Sequence, residues 1–171
     1  MGPIEAVFLA MFIIFGVIGV VRGYARELGV TTMLLIALFV TEIIDERFAT
    51  QFYSLLGRLD VPATSQNEIK TLIFIVFLIL LTFITYQGET LSFPGKGKSN
   101  VYGLGAGLLN GYLFAGSLWY YLHKAGWPLF RVQAPFTDFY DLAVKLLPPA
   151  IFRWEYLIAL AVFMLIIRVV K

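Results

Sequence analysis

The sequence predicts an all-α integral membrane protein with about five transmembrane helices plus two outer-side interfacial amphipathic helices. Three observations predict it. Hydrophobic residues make up 60% of the chain and charged residues only 14%, against roughly 45–50% and 25% in ordinary soluble domains. The mean hydropathy is +0.84. The apolar residues gather in runs close to the roughly 20 residues that cross about 30 Å of hydrocarbon. Those runs lack the alternating polarity of barrel strands, so helices, which satisfy every backbone group internally, are the spanning structure they fit.

The 171 residues read as a single helical membrane domain, 1–171. The first span is expected at 4–21 and the second at 30–44. The third, at 69–87, is the cleanest, and Ser65 with Glu68 just before it has the spacing of a capping box. A fourth span at 102–122 holds a run of glycines, and a fifth at 154–170 closes the sequence. Between the spans, 46–58 puts Phe48, Phe52, Leu55 and Leu56 on one helical face. In 136–147, Phe136, Phe139, Tyr140, Ala143, Leu146 and Leu147 do the same, with Pro148 and Pro149 ending the run. Such amphipathic stretches lie in the membrane interface or cap the bundle.

The N-terminal "MGPIEAVF" has no basic start, and "VRGYARE" rather than a small-residue cleavage site follows the first apolar run, so that run is expected to be retained. Ala6 stands where a myristoylated Gly2 would want Ser or Thr. Short connections rich in Lys and Arg stay in the cytoplasm. Arg22, Arg26, Lys96, Lys98, Arg168 and Lys171 crowd one side, whereas the basic residues of the other side are diluted over two long connections. The N-terminus is therefore expected outside and the C-terminus in the cytoplasm. Trp119, Tyr120, Tyr121, Trp127, Trp154 and Tyr156 then gather near the outer interface, where aromatic belts form.

Chemistry-bearing residues are sparse. There is no Cys and one His, His123, expected in a structural or solvated role. No catalytic residue, metal site or cofactor is expected. Glu42, Asp45 and Glu46 read as a solvated helix end rather than a metal site. The net charge of +2, with scattered basic residues, points away from nucleic acid. The expected partners are membrane lipids and other transmembrane helices, in a homo-oligomer or a larger complex.

The stretch "GLGAGLLNGYLFAG" resembles a dinucleotide loop only superficially. A Gly-x-Gly-x-x-Gly start at Gly103 ends on Leu108, a start at Gly105 ends on Asn110, and no strand precedes either. Instead Gly103, Gly107 and Gly111 recur every four residues and Ala115 extends them, a small-residue groove that admits a neighbouring backbone, with Asn110 at its edge. Gly16, Gly19 and Gly23 form a related pattern. Arg22 and Arg26, one turn apart, are expected to share a face, either snorkelling or meeting an anionic lipid headgroup or solute, and Glu27 can pair with a basic neighbour. "GVVRGY" and "GLLNGY" read alike on helices of opposite direction, the pattern of an inverted repeat.

The blocks "GVVRGYARELGVTTMLLIALFV" and "NVYGLGAGLLNGYLFAGSLWYYL" resemble the colicin V production protein family, small bacterial inner-membrane proteins. The likeness spans much of residues 4–147. It departs from the family at Asn110, where a basic residue is common, at Ser99 and Asn100, where an Asp-Arg-like start is, and in the fifth span. The resemblance implies a role in the envelope, toxin production or export, or stress tolerance, and no reaction. The alternatives are a structural subunit of a respiratory, photosynthetic or secretion complex, and a small-solute transporter built on the inverted repeat.

Overall fold

A computed structural model describes residues 3–88, 91, 93, 100–127 and 137–170, and all secondary structure among them is helical. Among the described residues eight helices follow one another: α1 (Pro3–Arg22), α2 (Tyr24–Glu46), α3 (Ala49–Arg58), α4 (Gln66–Gln87), α5 (Asn100–Lys124), α6 (Asp138–Lys145), α7 (Pro148–Ile151) and α8 (Trp154–Val170).

Three of these, over Ile4–Arg22, Tyr24–Glu46 and Gln66–Gln87, are long and apolar enough to cross a membrane. The remaining two expected spans are helical but less plainly apolar or shorter. α5 is diluted by Gly103, Gly105, Gly107, Asn110 and Gly111, and α8 has 17 residues. α5 is nevertheless one unbroken helix of 25 residues, about 37 Å long at 1.5 Å per residue.

Cross-helix pairs give the directions. Gly19 meets Gly103, Gly111 meets Phe12, and Phe8 stacks on Trp119 at 4.9 Å, so α1 runs antiparallel to α5. Glu27 meets Asn110 and Glu42 meets Tyr121, so α2 runs parallel to α5. Lys70 meets Asp45 and Tyr86 meets Glu27, so α4 is antiparallel to α2. α8 starts beside the C-terminal part of α2, where Trp154 lies 6.3 Å from Phe39, and runs back along it. Leu34, Leu38, Phe74, Leu78, Leu113 and Leu157 fill the dry middle of the bundle. Burying each such side chain is worth about 1.5–3 kcal/mol relative to water, but in lipid the packing itself, not exclusion of water, holds helices together.

Several local expectations are corrected. α2 begins at Tyr24 rather than near 30, because "VRGYARE" is helical on both sides of a single-residue break at Gly23. Gly23 has φ 84° and ψ 154°, a region essentially closed to residues with a Cβ, and no side chain caps the helix that follows. Ser65 does occupy the N-cap of α4, but its side chain makes no capping bond. The second amphipathic stretch holds α6, which stops at Lys145, before the prolines expected to end the run, and Pro148 and Pro149 also start a further helix, α7. Proline suits a first helical turn, where its missing N–H has no partner to lose. Phe136 lies outside the described residues.

Candidate functional site

The glycine groove is filled by α1. A Cβ built on Gly107 would lie 2.3 Å from the Phe15 carbonyl oxygen, and one on Gly103 would lie 2.4 Å from that of Gly19. Gly111 abuts Phe12 and Phe15, and Ala115 is buried in line with them. The contact is reciprocal: a Cβ on Gly19 would fall 2.2 Å from the Gly103 oxygen. At Gly19 both helices lack a side chain, and opposite Phe12 and Phe15 the glycines of α5 alone do, which permits this approach of backbone to backbone.

Where this interface reaches the Gly23 break, four helices converge on one carboxylate. Glu27 of α2 is fully buried. Its Oε2 accepts from Tyr86 OH of α4 at 2.9 Å and from Asn110 Nδ2 of α5 at 2.8 Å. The Asn110 amide also donates to the Glu27 carbonyl at 3.0 Å, and Thr31 Oγ1 donates to Asn110 Oδ1 at 2.7 Å. Arg22, at the end of α1, places Nε 3.6 Å from Oε1 and its guanidinium 4.5 Å above the Tyr86 ring. Burying such a polar group without partners would be costly, and the neutral donors and one cation around it offset that cost.

The expected shared face of Arg22 and Arg26 does not form, because Gly23 separates them onto two helices. Arg22 turns inward to Glu27, as the local-pairing expectation had it, while Arg26 is exposed. Asn110, expected at the edge of the groove, is fully buried and faces α2. The two similar motifs do meet: Arg22 of "GVVRGY" and Asn110 of "GLLNGY" approach opposite oxygens of Glu27. Their likeness ends one residue later, since Gly23 is the break and Gly111 lies within α5 against Phe12.

A second polar cluster closes the opposite end. Asp45 takes Lys70 Nζ at 2.6 Å on one oxygen and Lys124 on the other, and Lys70 also donates to Tyr53 OH at 2.8 Å. Glu42, itself buried, accepts from Tyr121 OH at 2.9 Å. The solvated helix end expected here is therefore a knot joining α2, α3, α4 and α5. Among the described residues no His, Cys, Asp and Glu group is arranged to hold a metal.

The aromatic residues do collect at this end, but Trp119, Tyr121 and Trp127 are buried rather than turned to lipid. His123 Nδ1 lies 2.8 Å from Tyr140 OH, a structural role. Burial in α6 pushes the Tyr140 hydroxyl above its ordinary pKa, so it stays protonated. Beneath them, α1, α5, α6 and the α6–α7 turn line an almost wholly apolar, open pocket of about 170 Å³ between Phe8, Phe12, Trp119, Phe139 and Leu147, with Glu5 at its edge bonded to Thr137.

Sequence reasoning left Glu27 a mere local partner and missed Tyr86 and Thr31 altogether. A signal was present: Glu27, Thr31, Leu34, Leu38, Thr41 and Asp45 are spaced alternately by four and three residues, one continuous seam along a helix. No family model matches the chain, and neither a curated protein nor a solved structure matches it. The resemblance to the colicin V production family thus rests on the residues quoted above.

Proposed function

We propose that the chain is a non-catalytic, multi-pass protein of the bacterial inner membrane with a role in the envelope, in toxin production or export, or in stress tolerance, as in the colicin V production family. One observation carries this reading. The two sequence blocks that resemble the family, far apart in the chain, form one unit: Gly19 packs on Gly103 and Gly107, and Arg22 and Asn110 close on Glu27. In this reading α5 and α8 also cross, giving five spans, with the N-terminus outside and the C-terminus in the cytoplasm. α3 and α6 then rest in the outer interface on their exposed apolar residues, Phe48, Leu55 and Leu59 in and beside one helix and Phe139, Leu142 and Leu146 in and beside the other. Arg26 is exposed at the cytoplasmic end, at the depth of anionic headgroups.

The test is complementation. In a bacterium lacking its own colicin V production protein, this chain should restore toxin yield, and a Glu27→Ala variant present in the membrane should not. Failure of the unaltered chain, with its membrane insertion verified by immunoblot, would overturn the reading.

One observation favours the alternative of a subunit in a larger complex. A Cβ on Gly105 would meet nothing within 4 Å. Beside it lies a concavity of about 670 Å³ between Tyr24, Leu28, Val101, Tyr102, Ala106 and Leu109. A partner helix at this face would travel with the protein in stoichiometric amount through a gentle detergent purification. A protein that runs alone or as a homo-oligomer counts against it.

A further inference from the structure

The ion pair at the Gly23 break is incomplete as a direct contact. Arg22 Nη1 and Glu27 Oε1 are both buried, and neither has a hydrogen-bond partner among the described residues. Nε stands 3.6 Å from Oε1, beyond hydrogen-bond reach. The cause is visible in the surroundings. The Arg22 guanidinium is seated 4.5 Å above the Tyr86 ring, and the Tyr86 hydroxyl is itself tied to Oε2 at 2.9 Å, so the ring holds the cation back from the carboxylate.

A buried donor and a buried acceptor on one ion pair, each costly to leave unmade, call for a third group between them. That group must accept from a guanidinium and donate to a carboxylate. An anion is repelled by Glu27 and a cation by Arg22, which leaves a small neutral molecule with both capacities. At the break itself, a Cβ on Gly23 would meet nothing but its chain neighbours within 4 Å. The Arg22 side chain retains 18% of its exposure, a route from the aqueous phase.

We propose that an ordered water molecule bridges Arg22 Nη1 and Glu27 Oε1 at the Gly23 break. A bridging water is enthalpically almost as good as a direct hydrogen bond. It makes the link between α1 and α2 solvent-exchangeable, in contrast to the direct Lys70–Asp45 contact at the other end of the bundle.

The test uses the unaltered chain in nanodiscs with nitrogen-15 in its arginine side chains, the Arg22 signal being assigned by its loss in Arg22→Lys. The expected result is cross-relaxation between Arg22 guanidinium protons and water, with the sign of a long-lived bound molecule. It should be unchanged when sodium chloride is replaced by salts of other anions and cations. Absence of that signal overturns the proposal, as does an Arg22 resonance that moves with the identity of the salt, which would mean a bound ion. Direct bidentate contact of Arg22 with Glu27 in an experimental structure that resolves ordered water overturns it too.

Discussion

Gly107 and Gly105 sit two residues apart on the same helix and have opposite surroundings. A Cβ on Gly107 would collide with the Phe15 backbone at 2.3 Å, whereas one on Gly105 would meet nothing within 4 Å. One glycine is there because a neighbouring main chain occupies the space its side chain would need. The other gives up helix stability with no packing in return. A repeat of small residues thus marks where a groove runs, but the energy resides in what lies in it. In lipid that energy is contact, since apolar surface gains nothing by leaving one hydrocarbon for another.

The largest effect expected from this contrast is at Gly107. Gly107→Leu should lose more than about 3 kcal/mol, above the usual range for overpacking because the obstacle is backbone and cannot rotate away. Thermal or SDS-titrated unfolding in mild detergent, followed by helical circular dichroism, reads it. Asn110→Leu, on the face of α5 turned to α2, removes both hydrogen bonds to Glu27. It should cost about 2 kcal/mol in the same assay, because the carboxylate is left short of a donor. Gly16→Ala sharpens the comparison from the α1 side. Its Cβ would meet the tip of Leu108 at 2.8 Å, a flexible side chain rather than a backbone atom. The loss should stay within about 1 kcal/mol as Leu108 changes rotamer. The smallest effect carries the opposite sign: Gly105→Ala should stabilise the protein by about 0.5 kcal/mol through helix propensity alone. A clear destabilisation there would mean that the open face is occupied.

The four-residue spacing of Gly103, Gly107 and Gly111 made the groove legible, because helical periodicity converts spacing directly into a face. Its occupant was not legible, since nothing local in α5 says which helix approaches. The unbroken apolar runs likewise announced the helices. The Gly23 break escaped notice because one glycine between two helix-compatible stretches looks the same whether it bends the chain or lies within a turn. That single residue moved Arg22 and Arg26 apart and carried Arg22 to Glu27. The Asp45 knot depended on Lys70 and Lys124, which are 25 and 79 residues away along the chain. Charge partners at that separation are set by topology, and the acidic cluster alone read as a solvated end. The aromatic residues were rightly gathered at one end, but composition could not tell a ring that faces lipid from one that packs inward, as Tyr121 does.

The seating of α1 in the groove of α5 can be measured directly, because the chain has no cysteine of its own. A Cβ built on Gly111 lies 3.0 Å from the Phe15 Cβ, within a small relaxation of the roughly 3.5–4.5 Å that a disulfide spans. Phe15→Cys with Gly111→Cys, oxidised mildly in native membranes, should form an intramolecular disulfide. The product should run as a monomer with both thiols protected from alkylation, while Phe15→Cys with Gly105→Cys should stay reduced. A Phe15→Cys, Gly111→Cys protein that remains reduced, or that links into dimers, would contradict the claim that this chain's own first helix fills its glycine groove.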